Sequence, residues 1–330
     1  MITVPTLFIL GAGASAPYGY PTSFGLWEFI VGNYPNDSHI PPGYQHPFKH
    51  FYSTYLNGRI EIAADREPLI EKLELFHETF FHADPSIDRF ISRNKKFEKL
   101  GKKAILTMLF HAEQFSALPE TMANRESDWI IYLMQKMTTK IVVQDDFSRF
   151  KENDVSFITF NYDRSLEHLS YNFLSNSFSE LPTADIVEAV ESLEILHVNG
   201  ILAPLDWQNI KGVKQPYRKS LKTVDIDSHV NNIQIIFDSR QDDTTTEIER
   251  KIKSAENIYF LGFGYADENM KQLGFPEILE AHQTIYGTAK GLTSTQIAQV
   301  KRQYFTKRDF REPHLYTLNC LEVLENQILR

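Results

Sequence analysis

Short apolar runs alternate with amphipathic stretches along most of the chain. Runs rich in β-branched and aromatic residues predict buried strands at Thr6–Leu10, Ser156–Phe160, Leu193–Val198, Ile233–Phe237 and Asn257–Leu261. Apolar residues at three- and four-residue spacing predict helices near residues 22–31, 163–174, 245–254 and 294–304. Residues 282–305 have the pattern of a strand, a glycine loop and a capped helix. This alternation predicts an α/β fold, a Rossmann-like parallel sheet with helices on both faces.

The pattern becomes helical between the first two predicted strands. Three stretches, residues 68–81, 86–115 and 127–137, place apolar side chains at helical spacing, with candidate N-caps at Asp84, Ser86 and Asp128. We therefore expect a single domain over residues 1–330 that carries an inserted helical subdomain at about 45–150. Its large aromatic residues are either core or subunit contacts: Phe76, Phe80, Phe81 and Trp129.

Composition narrows the classes of function. The 330 residues carry a net charge of −9 without a dense Lys/Arg block, so nucleic acid is not expected as a direct ligand. Cys320 is the only cysteine, which excludes a disulfide framework and a multi-cysteine zinc ribbon within the chain. The first residues have no basic segment before their short apolar run. We therefore expect neither a signal peptide nor a membrane span, and we expect the protein to be cytoplasmic.

The segment LFILGAGASAPYGYPTSFGL, residues 7–26, raises the first question of chemistry. Gly11 and Gly13 directly follow a predicted strand and are accompanied by small residues: Ala12, Ala14 and Ser15. Glycines at such a turn let the backbone approach a diphosphate, whose charge is met by backbone N–H groups and a helix N-terminus. Ala16 stands where the G-x-G-x-x-G pattern has its third glycine, so the segment also fits an ordinary packing turn.

Two later segments also place polar residues at or just beyond the end of a predicted strand. In SFITFNYDRSLEHL, Asn161 and Asp163 follow the strand, either to face a ligand or to cap the next helix. In LEILHVNG, His197 and Asn199 point to one face of the strand, and a satisfied core histidine is the alternative.

A fourth segment, NIYFLGFGYADENMKQLG, has the same form. Its strand ends in the turn Gly262-Phe263-Gly264, and Asp267 lies at a helix start, where routine capping is the alternative. Ligands of open α/β sheets bind beyond the carboxyl ends of the strands, so four such strand ends together predict one binding crevice.

Taken together and in their order, these segments resemble the sirtuin fold, and more closely the bacterial sirtuin-like NAD+-hydrolysing proteins of antiviral defence systems. The matching pieces are GAGASAPYGYPT against Gly-Ala-Gly-x-Ser…Gly-x-Pro, TFNYD against Thr-x-Asn-x-Asp, and HVNG against the His-Gly segment. LGFGYADEN is similar to the later glycine segment, and PSIDRFI through GKKAI is similar to a helical insert of the bacterial branch. The resemblance spans about residues 7 to 305.

The resemblance implies that NAD+ is the substrate, hydrolysed to nicotinamide and ADP-ribose, and that no metal takes part. Asn161 would orient a water near the nicotinamide ribose, and His197, or Asn199 in its place, would carry the role of the catalytic histidine. The cofactor-binding residues that it implies are Gly11, Ala12, Gly13, Ser15, Pro21, Thr22, Asp163, Gly262, Phe263, Gly264 and Asp267.

Departures from the family pattern keep other functions open. Sirtuin deacylases carry a zinc ribbon of four cysteines, which this chain cannot form, so protein deacylation is disfavoured. The family's catalytic histidine precedes a glycine, whereas Asn199 precedes Gly200 here. The alternative is therefore a catalytically inactive module that binds NAD+ or an ADP-ribose derivative as a sensor or assembly subunit. A Rossmann oxidoreductase is disfavoured, because its acidic ribose-binding residue would have to be Asp37, in a turn-rich loop.

An NAD+ hydrolase without control would deplete its own cell, so we expect regulation. The resemblance implies an NAD+-depleting effector of bacterial antiphage defence, gated by oligomerisation, a partner or a small-molecule signal. We expect a homo-oligomer, and the candidate partner is a defence protein such as an ATPase or an Argonaute-type sensor.

Overall fold

A six-stranded parallel sheet organises the protein. The computed structural model describes residues 1–31, 66–116, 128–235, 242–307 and 310–327. Within these residues the strands are β1 Thr6–Leu10, β2 Val155–Thr159, β3 Ile195–His197, β4 Asn257–Leu261, β5 Thr284–Thr288 and β6 His314–Tyr316. They pair in the order β3-β2-β1-β4-β5-β6, and every pairing is parallel. The sheet confirms the predicted Rossmann-like α/β fold.

Helices surround this sheet within the same residues. In chain order they are α1 Ala12–Ser15, α2 Ser23–Val31, α3 Arg66–Phe81, α4 Ile87–Arg93, α5 Glu98–Gln114, α6 Trp129–Thr138, α7 Ser165–Ser177, α8 Thr183–Glu191, α9 Asp242–Ser254, α10 Asp267–Gln272, α11 Ser294–Tyr304 and α12 Cys320–Gln327. Two of the predicted caps accept the expected hydrogen bonds, Ser86 from Arg89 N and Asp128 from Ile131 N. The capped helix predicted near 294–304 has Thr293 as its cap, which accepts from Gln296 N. None of these helices is long and apolar enough to cross a membrane.

Both faces of the sheet are apolar, which explains why its central strands read as continuous hydrophobic runs. On one face the Phe8 ring stacks between Phe157 and Tyr259, with 5.2 Å between ring centroids on each side. On the other face Leu7 and Ile9 belong to a second buried cluster. Because successive side chains of a strand point to opposite faces, a single apolar run such as TLFIL supplies both cores.

Helices from different parts of the chain cover the two faces. Side chains of α3, α5, α6, α7, α8 and α12 join the core of the first face, whereas α9, α10 and α11 contribute to the second. The helices between β1 and β2 therefore pack onto one side. Their aromatic residues Phe76, Phe80 and Trp129 are at most 1% exposed and form core, so they are not available as subunit contacts; Phe81 is 48% exposed.

Some secondary-structure predictions were wrong. Ile233 forms only an isolated antiparallel bridge to Gly200, and residues 233–235 lie outside the sheet, although a strand was predicted at Ile233–Phe237. Residues 236 and 237 lie outside the described residues, as does Asp37. The helices α8 and α12 were not predicted, and neither was the edge strand β6, whose three residues are too few to establish a period.

Strand register brings four strand ends to one level. Leu10 of β1 pairs with Thr159 of β2 and with Leu261 of β4, and Thr159 pairs with His197 of β3. The segments that follow these strands therefore emerge at one edge of the sheet. The chain proceeds from β1 to one side and returns at β4 on the other, which makes this edge a topological switch point, where ligands of such folds bind.

Candidate functional site

The glycine turns after β1 and β4 are packed against each other. Gly11 N donates to Leu261 O at 3.0 Å, and Gly13 N donates to Gly262 O at 2.9 Å. A Cβ on Gly13 would lie 2.9 Å from Gly262 Cα, and one on Gly262, which has φ +57°, would lie 1.9 Å from Ala14 N. Contact between two main chains is therefore sufficient reason for these glycines. Gly264 differs, because a Cβ there would meet nothing within 4 Å.

Asn161 lies directly on the first glycine turn. Its Nδ2 donates to Gly11 O and to Ser15 Oγ, both at 2.9 Å. The residue is partly exposed, and its Oδ1 has no hydrogen-bond partner among the described residues. The amide is thus fixed by its nitrogen, while its oxygen remains able to accept a hydrogen bond.

Asp163 is a buried carboxyl that holds the same turn to the start of α7. Ser15 Oγ donates to its Oδ2 at 2.5 Å, while the amide and the hydroxyl of Ser165 both donate to Oδ1. Burial raises the pKa of Asp163, and the hydrogen bonds from Ser15 and Ser165 oppose that rise without cancelling it. Ser15 therefore connects Asn161, from which it accepts, to Asp163, to which it donates.

His197, at the end of β3, is engaged through both ring nitrogens. Nδ1 lies 3.0 Å from the Asn161 main-chain oxygen, and Nε2 lies 2.6 Å from Glu167 Oε1. Burial lowers the pKa of His197, but the Glu167 carboxylate and the two hydrogen bonds outweigh it, so the pKa is raised overall. In this arrangement neither ring nitrogen is free to take a proton from a water molecule.

These six residues form one group, which we call the amide cluster: Ser15, Asn161, Asp163, Ser165, Glu167 and His197. All six line a single cavity of about 10 Å³, together with Trp129, Thr159 and apolar neighbours. Such a volume holds about one water molecule. Glu167 Oε2 is buried and has no hydrogen-bond partner in the described part of the chain. The cluster is thus polar, largely buried and incompletely paired.

Other predicted site residues lie apart from this cavity. Asn199 is buried, and among the residues that the structure describes its side chain makes only a long 3.5 Å contact to Phe160 O. Thr22 is exposed and its hydroxyl accepts from Gly25 N, as an N-cap of α2 does. Asp267 accepts from Tyr304 on α11 and pairs with Lys271. Pro21, Phe263 and Gly264 do not line the cavity either.

A second buried polar group, which we call the arginine cluster, was not predicted as a unit. It consists of Tyr20, Glu113, Arg164, His168, Tyr217 and Arg218. Arg164 is 0% exposed and makes a two-pronged pair with Glu113, at 2.8 and 2.7 Å. Its remaining N–H groups donate to four main-chain oxygens, those of Ala203, Pro204, Gln215 and Pro216.

Sequence spacing contained part of the signal for both clusters. Asp163 and Glu167 are four residues apart at the start of a predicted helix, as are Arg164 and His168, so each pair shares a face. Their partners, Glu113 and His197, lie on distant elements, and nothing in the sequence around them indicates these pairings. Trp129 also joins the site unpredicted, since its indole N–H donates to Ala14 O at 2.8 Å.

The chemistry available to the amide cluster is that of a positioned amide beside buried carboxyls. It offers a free amide oxygen and a histidine–carboxylate pair at the edge where parallel sheets bind ligands, whereas the N–H groups of Gly11 and Gly13 already donate to the end of β4 and the turn after it. Within the described ranges, no group of three or more His, Cys, Asp or Glu side chains is arranged to hold a metal ion.

Comparison with known proteins assigns no family: no family model matches this chain, and a search of curated proteins finds no significant match.

Proposed function

We propose that this protein binds NAD+ and hydrolyses the bond between nicotinamide and ribose. In this reaction the C1′–N bond breaks and its electron pair neutralises the nicotinamide ring. Water supplies the new C1′–O bond and releases a proton. Because the ribose becomes oxocarbenium-like, catalysis consists mainly of placing the water and excluding other acceptors.

The position of Asn161 is the observation that carries the proposal. Its amide nitrogen is held by Gly11 O and Ser15 Oγ at the glycine turn, which leaves the amide oxygen to accept from water or from a ribose hydroxyl. This geometry agrees with the role that the sirtuin resemblance implies for Asn161. Ser15 and Asp163 then act together, because they fix the turn against α7.

The small size of the cavity sets a condition on the proposal. A volume of about 10 Å³ cannot contain nicotinamide or ribose. NAD+ must therefore contact Asn161 from its solvent-exposed side, with the diphosphate near the turn that begins at Gly11. Gly264, whose α-carbon faces open space, is the residue of the second turn that offers room for a ligand.

The experiment is NAD+ turnover by the purified chain with product analysis. Wild type is expected to release nicotinamide and ADP-ribose, and Asn161→Ala is expected to lower kcat by about 100-fold or more, as loss of an orienting polar group does. Asn209→Ala, at an exposed position, is the matched control and should retain full turnover. Full activity of Asn161→Ala would refute the assignment.

A second candidate function is NAD+ binding without turnover. It is favoured by the engagement of both His197 nitrogens, which prevents this histidine from acting as a base beside Asn161. The two functions are separated by calorimetry combined with product analysis. Tight binding of NAD+ or ADP-ribose, with no nicotinamide released over hours, would establish the binding module.

We also propose that the NAD+ hydrolysis is regulated and that the protein acts as an NAD+-depleting effector in antiphage defence. Light scattering and cellular NAD+ measurements with and without phage infection test this part. We expect a homo-oligomer and a fall in NAD+ only after infection. A monomer that depletes NAD+ constitutively would contradict it.

A further inference from the structure

Glu167 stands out among the polar residues of the amide cluster because no role follows for it from the proposed reaction. It lies on α7, its side chain is 4% exposed, and Oε1 is 2.6 Å from His197 Nε2. Its second oxygen, Oε2, is buried without a hydrogen-bond partner in the described residues. A buried carboxylate is costly unless it is paired, so the contact with His197 is what supports Glu167 in this position.

The other side of the imidazole fixes where its protons lie. Nδ1 is 3.0 Å from Asn161 O, and a main-chain oxygen only accepts, so Nδ1 carries a proton. The ring is therefore held between a carboxylate on α7 and the main chain that follows β2. Rotation of the ring would break both hydrogen bonds at once.

Asn161 links the His197 ring to the glycine turn. Its main-chain oxygen is bound by His197, while its side-chain nitrogen is bound by Gly11 O and Ser15 Oγ. The orientation of its amide oxygen thus depends on contacts at both ends of the residue. The N–H of Asn161 is held separately, because it donates to Thr159 Oγ1 at 3.1 Å, so the contact with His197 is what fixes the carbonyl side of the residue.

We propose that Glu167 is a positioning residue of the NAD+ site: through His197 it fixes the main chain of Asn161 and so aims the Asn161 amide at the ligand. This inference rests on the proposed function and deepens it. It also assigns His197 the task of positioning rather than that of a free base.

Two variants of Glu167 separate orientation from charge. Leucine removes every hydrogen bond to His197 Nε2, and we expect kcat to fall about 10- to 100-fold, because misplacement near the reacting atoms is costly. We expect KM to change by less than about threefold, since the lost interaction serves the transition state. Glutamine can donate its amide N–H to Nε2 and keep the ring in place, so Glu167→Gln should recover kcat to within about threefold of wild type.

Nuclear magnetic resonance of ¹⁵N-histidine-labelled protein gives a readout that is independent of turnover. Wild type at neutral pH should show His197 protonated at both ring nitrogens. Glu167→Gln should show a single proton, on Nδ1, with the Asn161 side-chain amide signals unmoved. Glu167→Leu should shift those Asn161 signals.

The control is Glu188→Gln on α8, an exposed position paired with Lys151 at the surface, which should match wild type in every assay. Equal kcat values in wild type and Glu167→Leu would overturn the inference, as would unmoved Asn161 signals in that variant. If Glu167→Leu fails to fold, a Glu167→Gln variant with kcat reduced as far as Asn161→Ala overturns it instead. An inactive wild type would refute NAD+ hydrolysis alone, and the spectra would then decide the positioning role.

Discussion

The amide cluster and the arginine cluster share one eight-residue segment, residues 161–168, yet they differ in how completely their polar groups are paired. Asn161, Asp163 and Glu167 enter the first cluster, and Arg164 and His168 enter the second. Every N–H group of Arg164 has an acceptor, and both oxygens of Glu113 have donors. The amide cluster instead keeps a carboxylate oxygen, Glu167 Oε2, that has no partner in the described ranges of the chain and lies next to a cavity.

This difference separates a structural role from a binding role. A fully paired buried network has no remaining capacity to recognise a ligand, and it serves to hold the loop of residues 203–216 to α5. An incompletely paired one at the carboxyl edge of a parallel sheet is typical of a site. We therefore expect substitutions in the arginine cluster to act on stability, and those in the amide cluster to act chiefly on the proposed reaction with NAD+.

The largest effect is expected from Arg164→Met. It leaves Glu113 buried without its charge partner, and the free energy of unfolding should fall by about 3–5 kcal/mol. Urea denaturation at neutral pH measures this loss. The double variant Glu113→Leu/Arg164→Met removes both charges and should be less destabilised than the sum of its single variants. If the free energy of unfolding of Arg164→Met falls by less than about 1 kcal/mol, the arginine cluster does not have the structural role that distinguishes it from the amide cluster.

The next effect concerns His168, which stacks on Tyr217 at 3.8 Å between ring centroids. Burial, with Arg164 and Arg218 nearby, lowers its pKa from 6.5 to about 4. As the pH falls, the unfolded chain therefore binds a proton at His168 before the folded protein does. The free energy of unfolding is highest above pH 6.5, and about 3 kcal/mol of it is lost as the pH falls to about 4. Denaturation at a series of pH values checks this. His168→Gln should remove that part of the acid dependence.

His197 should give the opposite dependence, because its pKa is raised in the folded protein. Its contribution is complete below pH 6.5 and is lost as the pH rises through the folded-state pKa. The same denaturation series compares wild type with His197→Gln, whose stability should vary less on the alkaline side of pH 6.5. A steeper alkaline loss in the variant would contradict the ion pair with Glu167.

Ser15→Ala should have a smaller effect on stability than Arg164→Met. It removes the donor to Asp163 Oδ2 and the acceptor for Asn161 Nδ2, which together are worth about 1–3 kcal/mol. Turnover of NAD+ should fall as well, because the Asn161 amide loses one of its two anchors. Ser177→Ala, exposed at the end of α7, is the control for both assays. Wild-type stability and turnover in Ser15→Ala would show that the contact is dispensable.

The smallest effect on stability is expected from Gly264→Ala. A Cβ fits there without contact, so the free energy of unfolding should change by less than about 0.5 kcal/mol, while KM for NAD+ should rise if the second turn borders the ligand. Gly262→Ala is the contrast, since its Cβ would collide with the first turn. Equal stability of the two variants would refute the turn-to-turn contact.

Much of the fold followed from local pattern. The run TLFIL, the glycines after β1 and β4 and the capping box at Thr293 each agree with the element that forms there. Periodicity reports which faces are buried, and alternation of strands with helices is enough to indicate a parallel sheet. Periodicity could not predict β6 or the bridge at Ile233, because such short pairings depend on the strand or loop beside them rather than on their own sequence.

The amino-acid sequence by itself determined the strand ends to within a residue, and with them the position of Asn161 and Asp163 just beyond a strand. Only the tertiary structure decided which groups meet there. The pairings of Glu167 with His197 and of Glu113 with Arg164 join residues 30 and 51 positions apart. Such contacts are set by the order of strands in the sheet and by the packing of helices on it, and no local spacing encodes either.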